Sequence, residues 1–219
     1  MEKLVTAESA LVSDPRNDLW RVPDPSAPDG YRAQTLDDIV AAMAPLELPE
    51  YVPEDIATAF AITRNLWIYG WFHYPFYTLA ASRAYLCLEV AMRERWNRDN
   101  PGAAPKAEPR GLSRLLAVAV KQGWIHNEGL QAAEAARRRR SELAAALPAP
   151  FNLMFEGDGH PQGYVQNIAE TLPSLRNSLA HEHSFWFPHT AEQHIRLVWE
   201  LIIQVFDPDA TSSTQPARP

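Results

Sequence analysis

A chain of 219 residues, 46% apolar, is long enough to bury one substantial core, and its formal net charge of −7 excludes a protein that holds nucleic acid by bulk electrostatics. One cysteine, Cys87, excludes an internal disulfide and suits a reducing compartment. No apolar run follows a basic start near Met1, and residues 66–81, broken by Gly70, His73 and Pro75, are too short to span a bilayer, so a cytoplasmic protein with no membrane partner is expected.

Residues 1–50 carry the turn signals Asp14-Pro15, Pro23-Asp24-Pro25 and Ala27-Pro28-Asp29-Gly30, with a short helical candidate over 36–44. They are expected to form a proline-rich irregular arm. Pro53-Glu54-Asp55 then opens a helix to about Gly70, with proline in the first turn and acids at the positive end of the helix dipole. Pro75 opens a longer helix to about Asn97, stopped by Asn100-Pro101-Gly102. On a helical wheel, Ala81, Leu88, Met92 and Trp96 lie within about 60° of Tyr85, and Leu79, Leu86 and Val90 gather about 100–140° away. Two apolar stripes predict a helix buried on two sides.

A third helix is expected from Leu112 to Gly123, with Gly123 as its C-cap, and a fourth from Asn127 as N-cap to about Ala146. Residues 148–161, rich in Pro and Gly, are read as a loop. A fifth helix follows over 164–182, with a candidate kink at Pro173, and a sixth over 190–206. No β alternation and no internal repeat is found. The expected fold is all-α, an antiparallel helical bundle over 51–207, between the irregular arm and a disordered tail, 208–219.

The chemistry-bearing segment is Arg176-Asn177-Ser178-Leu179-Ala180-His181. Ile168, Leu172, Leu175 and Leu179 form the core stripe of the fifth helix, Asn177 and His181 project from the other side, and Arg176 sits on the flank. Arginine offers a forked donor to phosphate oxygens, and a histidine near its reference pKa of about 6.5 can accept or donate a proton at neutral pH. RNA supplies its own nucleophile, the 2′-hydroxyl, so these two groups suffice for phosphodiester cleavage without a metal. Five positions separate Arg176 from His181 by about 140°. Their convergence therefore needs arginine's reach, Asn177 between them, or a second copy of the helix. The bland alternative is a pair of cations favoured by the negative end of the helix dipole.

These six residues resemble the Arg-x4–6-His motif of HEPN domains, in which the residue after the arginine is often Asn, Asp or His. The position matches too, on a late helix of an all-α bundle, and Tyr85 to Arg93 resembles the family's earlier long helix. The stretch Leu112 to Ile125 is similar to the helix preceding the motif in several bacterial groups, so the resemblance spans roughly 55–206. It implies a metal-independent endoribonuclease, a homodimer with the two motifs facing each other, and a toxin or phage-defence role with an antitoxin or defence-system partner. It also implies that Arg176 and His181 are catalytic, Asn177 supports them, and no cofactor is needed. Toxin-type members often carry Tyr two residues after the histidine; here His183 stands there, a supporting candidate. Other members have lost activity, so the competing reading is a non-catalytic helical module that dimerises or binds nucleotide or RNA.

Glu89 and Arg93 form an i, i+4 pair, read as a partly buried salt bridge or, for Glu89, as a group orienting Arg176 or His181. His181, Glu182, His183, His189, Glu192 and His194 fall close together, but without the spacing of a zinc site, so no metal is expected. The run Arg137 to Arg140 spans about 300° of the wheel. Solvation is its simplest use, and Arg137, Arg138 and Arg140 are the candidate RNA contacts.

Overall fold

The computed structural model describes residues 6–104, 106–146, 161–181 and 186–208. The fold class is all-α: the regular elements of the described residues are seven α-helices, one 3-10 turn and a two-stranded sheet. The expected 148–161 loop, up to residue 160, and most of the 208–219 tail lie outside them, and Pro161 is already helical.

The N-terminal region holds more than turns. After a 3-10 turn at Pro15–Leu19, strands β1 (Arg21–Pro23) and β2 (Tyr31–Ala33) pair antiparallel, with Val22 opposite Arg32. Three-residue strands are too short to announce themselves by alternation, so the sequence expectation of no β structure is corrected here. Helix α1 (Leu36–Met43) starts with a capping box, Thr35 and Asp38 each accepting from the other's backbone N–H. Its last carbonyls are taken up by arginines from distant helices. Arg64 donates to Met43 O and Ala44 O at 3.0 and 3.1 Å, and Arg196 donates to Ala42 O at 2.8 Å. Ile39, Met43 and Leu46 are thereby sealed into the main core.

Helix α2 (Glu54–Tyr69) carries Glu54 and Asp55 in its first turn and runs into a tight corner. A Cβ on Gly70 would lie 2.6 Å from the Tyr77 ring and 2.8 Å from Trp67 O. Only glycine lets α3 (Pro75–Asp99) turn back so closely. Helix α3 is the central element, packed against α2, α4 and α6 and most extensively against α7 (Pro188–Phe206). Ala81, Tyr85, Leu88 and Met92 of the first apolar stripe are fully buried, as predicted, and Trp96 is half-buried against the core. The second stripe departs from the expectation: Leu79, Leu86 and Val90 are 52%, 42% and 45% exposed. Periodicity reports that a face is apolar; it does not supply a partner for it.

Helix α4 (Leu112–Lys121) ends in a Schellman motif, with Gly123 at φ +70°, Trp124 N donating to Ala119 O and Gly123 N to Val120 O. The expected N-cap of the next helix is corrected. Helix α5 spans Gln131–Ala146, and Asn127 Oδ1 accepts instead from Val165 N, 3.1 Å away near the start of α6 (Pro161–His181). Glu200 of α7 takes the α5 role, accepting from the N–H groups of Gln131 and Ala132. Among the described residues no helix is long and apolar enough to cross a membrane.

Candidate functional site

Helix α6 is built by its apolar stripe. Val165, Ile168 and Leu172 are buried, and Leu175 and Leu179 are half-buried against the core. Pro173 lies inside the helix, where its missing N–H leaves the Ala169 carbonyl without its helical partner. One turn on, Arg176 is half-buried and Asn177 is exposed. The Arg176 Nη1–H donates to Asn177 Oδ1 at 3.3 Å, forming a polar pair at the protein surface. His181 is the last residue of α6. Its side chain, that of Arg140 and all of His183 lie outside the described residues.

Glu89 is held elsewhere. Its carboxylate accepts from Arg93 Nη2 at 3.0 Å, and Arg93 Nε lies 3.1 Å from Glu108, so one guanidinium ties α3 to the segment before α4. No hydrogen bond or ion pair joins Glu89 to Arg176 among the described residues. Arg137 and Arg138 are exposed on α5, as is Arg139.

A second polar cluster has no local sequence signal. The Tyr85 hydroxyl of α3 is hydrogen-bonded to Nδ1 of His194 on α7, and the Trp186 ring lies 4.5 Å from the imidazole. Burial lowers the His194 pKa to about 4, so the ring is neutral at pH 7. The partners are 109 residues apart in sequence, beyond any spacing rule. Nearby, His189 bonds Gln193 at 2.9 Å and Glu192 pairs with Arg196 at 2.8 Å. Among the described residues no group of three or more His, Cys, Asp or Glu is placed to hold a metal ion.

Charge is divided unevenly along the chain. Residues 1–55 carry twelve acids and four bases, a net of −8. Helices α4, α5 and α6 carry seven bases and three acids, a net of +4. Because α6 packs against both α4 and α5, Arg176 belongs to the cationic part of an acidic protein. No family model, curated protein or solved structure matches the chain.

Proposed function

We propose that the protein is a HEPN-like, metal-independent endoribonuclease of a toxin or phage-defence type, acting on RNA in the cytoplasm. The observation that carries this reading is the surface pair Arg176–Asn177, with Asn177 on α6 opposite its leucine stripe, Arg176 on the flank, and both within the cationic helices of the molecule. In the reaction His181 takes the proton from a 2′-hydroxyl, whose oxygen attacks the adjacent phosphorus. The bond to the 5′-oxygen of the next nucleotide breaks, and that oxygen leaves with a proton given back by a His181 imidazolium. Arg176 meets the charge on the equatorial phosphoryl oxygens with its forked N–H groups, and Asn177 fixes the orientation of the guanidinium. A second copy of the chain brings a second α6 beside the first. This resolves the angular separation of Arg176 and His181 on a single helix.

The competing reading, a non-catalytic helical module, draws on the half-burial of Arg176 and its bond to its own neighbour. One comparison separates them. Purified protein is expected to cut single-stranded RNA in the presence of EDTA, and His181→Ala, with an unchanged circular dichroism spectrum and melting temperature, is expected to lose the activity. Equal cleavage by the variant defeats the catalytic assignment.

A further inference from the structure

Beside Arg83, Arg110 and Arg176, which lack an ion pair among the described residues, two groups stand out among the described arginines. Eight of them, on the N-terminal region, α2, α3 and α7, are each in an ion pair with an acid. Arg114 and Lys121 on α4 and Arg137, Arg138 and Arg139 on α5 are all exposed. None of these five makes an ion pair or hydrogen bond among the described residues. Arg114 and Lys121, seven positions apart, share one side of α4, away from the buried Leu112, Leu115, Leu116 and Ala119. A folded protein with a net charge of −7 has acids to spare for such cations. Their unneutralised state on two helices that flank α6 is therefore a local excess of positive potential.

The apolar surface is divided the opposite way. Twelve large apolar side chains are exposed among the described residues; eleven precede residue 91 and the twelfth is Phe187. Among the described residues α4, α5 and α6 expose none. Protein partners are anchored by aromatic and aliphatic side chains that fill pockets, and helices that lie on membranes need an apolar face to bury. This surface offers neither. What it offers is a set of unpaired cations, four of the five being arginines, whose planar forks match phosphate oxygens in pairs.

We propose that the exposed sides of α4 and α5 form a landing surface for the phosphate backbone of single-stranded RNA, with Arg114, Lys121 and the run Arg137 to Arg139 delivering the strand to Arg176 on α6. The proposal rests on the ribonuclease reading for the identity of the polymer and adds where the backbone lies. Contacts are to phosphates, so the surface selects for strand charge and leaves base sequence unread. Three consecutive arginines cover about 200° of the α5 wheel, so two of them reach one strand at a time.

The test uses the full chain and a fluorescent 20-nucleotide 2′-O-methyl oligouridine, which lacks the attacking hydroxyl and so reports binding apart from cleavage. With four phosphates neutralised, a slope of about −0.7 per phosphate gives log Kd a dependence near 2.8 on log salt, roughly a fifty-fold weakening from 50 to 200 mM. Joint replacement Arg137→Gln, Arg138→Gln and Arg139→Gln is expected to reduce that slope by about 1.4, and Arg114→Gln with Lys121→Gln by a similar amount. All five side chains are exposed, and an unchanged melting temperature certifies each fold. The proposal is overturned if the wild type fails to bind at 50 mM salt, or if both variants keep the full slope. It is equally overturned if a 20-residue oligoaspartate or vesicles of phosphatidylserine and phosphatidylcholine bind as tightly as the oligonucleotide. Loss of the RNA cleavage claim through His181→Ala leaves this binding measurement standing, and the reverse also holds.

Discussion

Acidification is expected to weaken the fold through His194. Its imidazole is enclosed by Tyr85 and Trp186, and burial takes its pKa from 6.5 to about 4. The unfolded chain therefore binds a proton that the folded chain refuses. Stability falls as pH drops below 6.5, and the loss is complete below about 4. A difference of about 2.5 units at about 1.4 kcal/mol each sets the full loss near 3 kcal/mol, with about 2.5 kcal/mol of it gone by pH 4.5. Other groups move on the same axis. Burial pushes the Asp14 carboxyl up, but the Arg16 guanidinium and the N–H groups of Arg16 and Tyr74 outweigh it and hold the pKa at about 2. Its stabilisation is present above 3.8 and is lost as pH falls toward 2. Burial raises the Glu200 pKa, so its protonation on acidification acts in the opposite sense. Comparison with His194→Gln isolates the imidazole, since glutamine keeps an acceptor for the Tyr85 hydroxyl and does not titrate. Urea denaturation at pH 7.0 and 4.5 is the assay. The stability difference between wild type and variant is expected to shift by about 2.5 kcal/mol toward the variant at the lower pH. A difference that is the same at both pH values refutes the buried, neutral imidazole.

Two substitutions test the joints that position α6 and α3. Asn127→Ala removes the Oδ1 that accepts from Val165 N–H and ties the segment before α5 to α6, at an expected cost of about 1 kcal/mol. Faster hydrogen exchange around Val165 would accompany it; unchanged exchange there contradicts the tie. Gly70→Ala forces a methyl into the Tyr77 ring and is expected to cost about 1–3 kcal/mol in chemical denaturation. An unaltered midpoint would show that the corner opens freely.

Much of the bundle was legible because its signals are local. Pro53-Glu54-Asp55 and Pro75 mark helix starts by chemistry confined to one turn, and Gly123 marks an end through its positive φ. What escaped depends on distant residues. Asn127 reads as the cap of the helix beside it, yet its partner is Val165, 38 positions on, while Glu200 comes from α7 to cap α5. The second stripe of α3 is apolar by pattern and exposed in fact, because its pairing is a property of the assembled molecule. At the candidate site, the leucine spacing of α6 puts Asn177 on the outside and Arg176 at the flank, where they are found. The same spacing is silent on what Glu89 binds, since Glu108 competes for Arg93 from another segment. It is silent as well on the unpaired cations of α4 and α5, whose isolation depends on where every acid comes to rest.

The most direct test of the ribonuclease reading is the chemistry of the cut ends. RNA incubated with the purified protein in EDTA is expected to yield fragments ending in a 2′,3′-cyclic phosphate and beginning with a 5′-hydroxyl, as attack by the 2′-hydroxyl requires, and His181→Ala is expected to yield none. Fragments beginning with a 5′-phosphate, or cleavage that appears only when a divalent metal is added, would contradict it.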